Sequence, residues 1–123
     1  MEVILDANFI ISCVMKRIDF LSQLKEKGFK VVVPREVIQE MKDLRIGRKM
    51  SQEERIAIDV AIKILFSKKV KKMTIGQGKV DDLLIKKGKE GAYIATLDNG
   101  IKRQVPNRVV IFSAKKEVGV ERD

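Results

Sequence analysis

Short runs of β-branched residues alternate with segments of helical periodicity along the chain, and this order limits the fold more than any other feature of the sequence. The pattern predicts strands at residues 3–6, 29–33, 73–75, 92–97 and 109–112. It predicts helices at residues 8–15, 20–28, 34–44, 80–87 and 99–105, with one more beginning at Ser51. Because strands and helices take turns, we expect an α/β domain whose mostly parallel sheet is covered by helices on both faces.

The length of the chain, 123 residues, suits one domain with one core. We expect residues 1–114 to form this domain and residues 115–123 to be a charged, frayed C-terminal tail. The helix beginning at Ser51 is apolar enough for most of it to be buried. Its apolar residues include Ile56, Ala57, Val60, Ala61, Ile64 and Leu65.

The N-terminus predicts the location of the protein. It has no basic region ahead of its apolar stretch, unlike a signal peptide. No apolar run in the chain approaches the roughly 18 residues that a membrane span needs. We therefore expect a cytoplasmic protein.

The residue types that the chain lacks remove several kinds of chemistry. Without histidine, Ser-His-Asp catalysis, Cys-His catalysis and two-histidine metal sites are excluded. Cys13 is the only cysteine, so an intrachain disulfide and a thiolate zinc site are excluded as well. The apolar neighbours of Cys13 predict a buried thiol that packs as a small hydrophobic side chain. Carboxylates, lysines, hydroxyls and backbone groups remain available for function.

The balance of charge favours a polyanionic partner. Lysine and arginine total 26 against 17 aspartate and glutamate, which gives a net charge of +9. Nucleic acid is the commonest polyanion in a cell, but a charge-rich surface suited to a hot or salty cell would have the same composition. Candidate phosphate contacts are the basic residues of segments 45–49, 68–72, 86–89 and 102–108, although such runs are also typical of solvated helix ends.

Acidic side chains stand where several predicted strands end. Asp6 and Asp98 each directly follow an apolar run, and Asp81 and Asp82 lie in the first turn of the helix after the third strand. Glu40 lies about two turns into the helix after the second strand. Because ligands collect at the carboxyl ends of parallel strands, these acids are expected to converge. Each acid alone is also explained as a helix cap, a favourable charge at a helix start or a solvated residue.

Converging carboxylates repel each other unless a cation neutralises them. Oxygen ligands without histidine or thiolate favour Mg²⁺ or Mn²⁺. An ion of this kind, which keeps several waters, is suited to activating water against a phosphodiester and to stabilising the departing oxygen. Together with the basic surface, the acids predict a site that cuts a phosphodiester chain.

The order of four motifs resembles the PIN-domain ribonucleases over nearly the whole chain. The motifs are Val3-Ile4-Leu5-Asp6-Ala7-Asn8, Val31-Val32-Val33-Pro34 leading to Val37-Ile38-Gln39-Glu40-Met41, Asp81-Asp82-Leu83-Leu84, and Ala95-Thr96-Leu97-Asp98. The Asp81-Asp82 pair and residues 98–103 are most similar to archaeal members related to the nucleases that process small-subunit ribosomal RNA. Residues 86–91 depart from the family pattern, being shorter and more basic, so the helix after Asp81 is expected to end early.

The resemblance implies a three-layer α/β/α sandwich and an endonuclease that uses Mg²⁺ or Mn²⁺ to cleave RNA, structured or ribosomal. Family members are frequently homodimers. Catalysis and metal binding would be carried by Asp6, Glu40, Asp81 and Asp98. Supporting positions would be Asp82, as a secondary metal neighbour, and Asn8 and Thr96.

Two alternatives stay open beside this hypothesis. One is the toxin ribonuclease of a toxin–antitoxin pair, which would have a small antitoxin partner. The other is a non-catalytic RNA- or protein-binding module that keeps the fold and uses the acids for structure only. A receiver or aspartyl-phosphate hydrolase fits poorly, because the hydrolases need a second Asp where this chain has Asn8. For the nuclease, the absence of histidine to activate a ribose 2′-hydroxyl predicts products with a 5′-phosphate and a 3′-hydroxyl.

Overall fold

The computed structural model describes residues 1–122 and contains a six-stranded sheet with the order β3-β2-β1-β4-β5-β6. The strands are β1 (Glu2–Leu5), β2 (Lys30–Pro34), β3 (Lys71–Met73), β4 (Tyr93–Ala95), β5 (Asn107–Phe112) and β6 (Glu117–Arg122). The helices are α1 (Ala7–Met15), α2 (Phe20–Glu26), α3 (Arg35–Arg45), α4 (Gln52–Ser67), α5 (Val80–Lys89) and α6 (Asn99–Lys102). The first five strands pair in parallel, and β6 pairs antiparallel with β5. The predicted α/β fold with a mostly parallel sheet is confirmed.

The central strand β1 divides the core into two parts. Successive side chains of a strand point to opposite faces of the sheet. Val3 and Leu5 accordingly belong to the larger apolar cluster, which includes residues of α1, α3 and α4. Ile4 faces the other way and packs with residues of α5 and α6, among them Leu84 and Ile101. Both faces of β1 are therefore covered, which explains why the strand is a continuous apolar run.

Helix starts follow the capping patterns of the sequence. At the start of α4, the Ser51 side chain accepts a hydrogen bond from the Glu54 amide at 3.1 Å, and the Glu54 carboxylate accepts one from the Ser51 amide at 3.3 Å. The capping box predicted for this pair is confirmed. Asp6 and Asp98 also cap helices, α1 and α6 respectively.

The C-terminal segment differs from the prediction of a frayed tail at residues 115–123. After a 3-10 turn at Ser113–Lys115, residues 117–122 form β6 along the edge of the sheet. Lys116 takes a left-handed conformation (φ 52°) that lets the chain reverse. The Gln23 side chain of α2 then donates to the Lys116 carbonyl and accepts from the Val118 amide. The many charged residues of this segment do not predict a strand, although Val118 within the strand is buried.

Helix α4 is less buried than its composition predicted. Ala57, Ile58 and neighbouring positions pack into the core, but Ile56 and Val60 are 53% and 40% exposed. The helix turns only one face toward α1 and α3, so apolar residues on the other side stay in contact with water. None of the helices among the described residues is both long and apolar enough to cross a membrane.

Several element boundaries also differ from the predictions, among them the end of β4, which lies at Ala95 rather than at residue 97. β3 occupies Lys71–Met73 rather than residues 73–75, and α6 ends at Lys102 rather than at residue 105. α5 does not end early, because it continues to Lys89. The chain reverses only at Gly91, whose φ of +109° is readily adopted by glycine alone.

Gly88 gives a test of the packing of α5 against the sheet. A Cβ at this buried helical position would lie 2.4 Å from Val105 Cγ1 and 3.1 Å from Ile94 Cγ1. Gly→Ala inside a helix ordinarily stabilises by up to about 1 kcal/mol. Here we expect Gly88→Ala to destabilise by about 1–3 kcal/mol, because the added methyl group overpacks the core. Urea unfolding followed by circular dichroism measures the change.

The compensating variant Gly88→Ala/Val105→Ala controls for helix propensity. If overpacking causes the loss, the double variant loses less stability than the sum of the two single variants. A Gly88→Ala protein more stable than the wild type would contradict this account.

Candidate active site

Asp6 stands at the junction between β1 and α1 and is 5% exposed. One carboxylate oxygen, Oδ1, accepts a hydrogen bond from the Ala7 amide at 2.8 Å. The other, Oδ2, accepts one from the Thr96 hydroxyl at 2.8 Å. The Asp6 amide donates to the Ala95 carbonyl at 2.9 Å. These bonds hold the Asp6 carboxylate at the carboxyl end of the sheet, between β1 and β4.

Thr96 connects Asp6 to Asp98. Its buried hydroxyl, besides donating to Asp6, accepts a hydrogen bond from the Asp98 amide at 3.1 Å. Asp98 is exposed, and its Oδ1 accepts from the Ile101 amide at 3.1 Å, which caps α6. A single hydroxyl therefore positions both acids that follow neighbouring parallel strands.

Burial raises the pKa of Asp6, whereas hydrogen bonds from Thr96 and Ala7 lower it. The negative charges of Asp81 and Asp98 raise it further, and the pKa as a whole lies above its ordinary value of 3.8. Asp81 lies in the first turn of α5, at the same carboxyl end of the sheet. The two exposed acids are thus close enough to act electrostatically on the buried one.

Glu40 joins this group from α3. Burial raises the pKa of the half-buried Glu40, and the charges of Asp6, Asp81 and Asp43 raise it further. Asp82 is not among the groups that shift the pKa of either Asp6 or Glu40, although it adjoins Asp81. Asp81 is therefore the member of the Asp-Asp pair whose charge acts on these two acids.

Within the described part of the chain, no basic side chain forms an ion pair with the acid group of Asp6, Glu40, Asp81 and Asp98. The ion pairs of residues 1–122 join other partners, such as Arg45 with Asp59 and Arg108 with Glu121. The chain nevertheless carries a net charge of +9. The result is a local negative potential within a basic molecule.

Glu36 has a role here that the sequence analysis did not assign. Its carboxylate accepts hydrogen bonds from the Ile75 amide at 3.1 Å and the Gly76 amide at 3.2 Å. Slight burial raises the pKa of Glu36, but these backbone bonds and the charge of Arg35 outweigh it, and the pKa is lowered. Glu36 thereby anchors the loop that leads into α5 and Asp81. Its position one turn before Glu40 is the only sequence signal for this role.

The donor chemistry of the acid group suits a hard cation, because all its ligand atoms are carboxylate oxygens. Within residues 1–122, however, no three acidic, histidine or cysteine side chains are drawn together closely enough to enclose an ion. Mg²⁺ commonly binds through one or two carboxylates and keeps several waters. The open arrangement therefore fits a hydrated ion better than a dedicated protein cage.

Comparison with known proteins identifies the family. The family model described as a PIN like domain matches residues 3–114, which is most of the chain. The chain therefore belongs to the PIN-like domain family, and the resemblance seen in its motifs is confirmed. A search of curated proteins finds no match.

Two solved structures share the fold. The chain is similar to the PIN domain endonuclease Utp24, with a TM-score of 0.74 and 21% sequence identity over 99% of this chain and 92% of the other. It is also similar to a domain of a functionally unknown protein from Methanocaldococcus jannaschii DSM 2661, with a TM-score of 0.56 and 19% identity over 99% of both chains. These likenesses establish the PIN-like α/β architecture.

The raised pKa of Asp6 predicts a pH-dependent effect of Asp6→Asn on stability. The folded chain binds the Asp6 proton more tightly than the unfolded chain, so ionising Asp6 destabilises the fold above the ordinary pKa of 3.8. In EDTA at pH 7, we expect Asp6→Asn to unfold at a higher urea concentration than the wild type. This difference should shrink as the pH falls through the folded pKa and vanish below 3.8.

Asp19→Asn is the matched control, because Asp19 also caps a helix but is exposed and lies outside the acid group. It should not stabilise the protein at pH 7. If Asp6→Asn is less stable than the wild type at pH 7, the two hydrogen bonds of the carboxylate outweigh its electrostatic cost.

Proposed function

We propose that the protein is a divalent-metal-dependent endoribonuclease. The observation that carries this proposal is an uncompensated acid group in a chain of net charge +9. Membership of the PIN-like domain family and the fold shared with the endonuclease Utp24 support it. The substrate we infer is RNA, including structured ribosomal RNA, since the motifs resemble those of nucleases that process the small ribosomal subunit.

The residues proposed to hold the cation are Asp6, Glu40, Asp81 and Asp98, with Asp82 in a secondary role. When bound, Mg²⁺ or Mn²⁺ would lower the pKa of water and stabilise the negative charge that develops on the phosphate oxygens. The hydrogen bonds from Thr96 and Ala7 keep the Asp6 carboxylate in one orientation before any ligand arrives. Such pre-orientation lowers the entropic cost of binding.

The proposed reaction is hydrolysis. The oxygen of water attacks the phosphorus, the bond from phosphorus to the 3′-oxygen breaks, and that oxygen gains a proton. The products are a 5′-phosphate and a 3′-hydroxyl.

The basic segments lie at different distances from the acids. Lys49 lines a groove of about 290 Å³ together with Glu40 and Asp43. Lys68 precedes β3, and Lys89 is the last residue of α5 before β4. Both therefore lie where parallel strands begin, at the end of the sheet opposite the acids. We propose that, among the three segments that carry these lysines, it is the loop at residues 45–50 that contacts RNA phosphates near the acids.

A cleavage assay on structured RNA with Mn²⁺ tests the acid group. We expect Asp6→Asn, Asp98→Asn and Asp81→Asn each to lower the cleavage rate by about a hundredfold or more, because losing even an outer-shell partner of a metal ligand costs 10–100-fold. Asp82→Asn, which removes the same charge one residue away, should cost about tenfold or less. End-labelling of the products distinguishes 5′-phosphate from 5′-hydroxyl ends.

Asp19→Asn serves as a control, since this exposed acid caps α2 and lies outside the acid group. It should cleave like the wild type, and EDTA should stop every active variant. If wild type and Asp6→Asn are equally inert yet bind RNA, the protein is a binding module and not a nuclease. Equal loss in Asp81→Asn and Asp82→Asn would contradict the distinction between these two acids.

The basic loop is tested by RNA affinity in an Asp6→Asn background with EDTA. We expect Arg48→Ala/Lys49→Ala to weaken binding and to reduce the slope of log K against log salt by about 0.7 for each phosphate that is no longer neutralised. Lys68→Ala/Lys89→Ala removes the same charge at the opposite edge and should leave the slope nearly unchanged. Equal effects of the two double variants would show that only net charge matters.

A further inference from the structure

A second groove, of about 550 Å³, opens beside Asp98 where α1, the start of α4 and the loop between β4 and α6 meet. Asn8 lines the same groove at the beginning of α1. Because Asp98 belongs to both the acid group and the groove, a nucleotide chain bound at the acids would reach the groove with its next residue. The volume is enough for one nucleobase with its ribose.

Part of the lining of the groove is apolar. Ile11, Met15 and Leu97 line it, and Met15 and Leu97 are each 37% exposed. Methionine sulfur makes favourable contacts with flat aromatic rings. A splayed-out base can therefore cover this surface, as single-stranded RNA bases do on protein side chains.

The charged residues of the groove disfavour a phosphate. Glu53, Glu54 and Asp98 line it against a single lysine, Lys16. In a chain of net charge +9, this excess of acid is unusual for a surface that meets a polyanion. A neutral ligand that carries hydrogen-bond donors is what such a lining favours.

Glu53 is the acid free to receive those donors. The Glu54 carboxylate is already used in the capping box with Ser51. Glu53 is exposed, and no described residue forms a hydrogen bond or ion pair with its carboxylate. The sequence predicts no ligand for either glutamate, because Glu54 is explained by the capping box and Glu53 is an acid in the first turn of a helix.

We propose that this groove binds an unpaired guanine of the RNA beside the phosphate that is cut, with the Glu53 carboxylate accepting from the guanine N1–H and N2–H groups. The proposal rests on the proposed ribonuclease function. A carboxylate offers two acceptors, and guanine presents two adjacent donors on its Watson–Crick edge. Uracil presents one donor between two acceptors, so the carboxylate repels both of its carbonyl groups.

Two measurements test the groove. The first sequences the ends left by Mn²⁺ cleavage of a randomised single-stranded RNA. Wild type should favour guanine over uracil about tenfold at one position next to the cut, since a good bidentate pair to a base discriminates by about that factor or more. Glu53→Gln, which keeps the shape but replaces one acceptor with a donor, should lose the preference.

The second measurement is fluorescence anisotropy of five-residue RNAs that differ only in one guanine or uracil, bound to Asp6→Asn protein in EDTA. Asp6→Asn should bind the guanine RNA more tightly, and Asp6→Asn/Glu53→Gln should bind the two RNAs equally. Glu26→Gln is the matched control, because Glu26 is exposed at the end of α2, away from the groove. It should leave the preference unchanged in both assays.

The outcomes separate the two proposals. If the wild type does not cleave RNA, the nuclease fails, and the binding measurement alone decides the guanine site. If cleavage occurs without a base preference, or if Glu53→Gln keeps the preference, the guanine site is wrong and the nuclease stands. If Glu53→Gln weakens binding of the guanine RNA and of the uracil RNA by the same factor, base recognition is also overturned. A basic peptide that binds in the groove and leaves the base preference unchanged would overturn it too.

Discussion

The hydrogen-bonded, buried carboxylate of Asp6 is the contact on which the rest of the arrangement depends. It ties the end of β1 to the first turn of α1 through Ala7 and to the end of β4 through Thr96. A one-residue shift of β1 in the sheet would turn its apolar side chains to the wrong faces and would also remove this carboxylate from its partners. The register of the central strand, the division of the core and the position of the acid are therefore determined together.

Charge of opposite sign is separated within this small molecule. The surface as a whole is basic and attracts a polyanion, whereas the edge formed by the acid group repels phosphate. Repulsion of this kind would keep an RNA phosphate away from Asp6 and Asp98 unless a cation stands between them. For the proposed nuclease, this repulsion is a reason, beside the chemistry of hydrolysis, for a divalent cation, and the burial that raises the pKa of Asp6 and Glu40 makes their charges unfavourable for the fold.

Sequence patterns predicted the parts of the structure that depend on local order. An apolar run ending in an acid marks the cap at Asp6 and at Asp98, and at Asp6 it marks the strand end as well, because the determining residues are adjacent. The β5–β6 hairpin joins neighbouring segments, but the charged residues of β6 favour a solvated tail, and the bonds from Gln23 of α2 to Lys116 and Val118 connect parts of the chain 93 and 95 residues apart. The bonds from Glu36 to the loop before α5 and the exposure of Ile56 likewise depend on which helix faces which neighbour.

A carboxylate that caps a helix at a strand end keeps an oxygen free for a further contact. In Asp98, Oδ1 accepts from the Ile101 amide, and no described residue donates to Oδ2. The capping bond fixes the orientation of the side chain and leaves the second oxygen available to a ligand. A ligand that binds there meets a carboxylate whose rotamer entropy has already been lost on folding. For this reason a cap residue at the carboxyl end of a parallel strand is better suited to binding a cation than a freely rotating acid of the same charge.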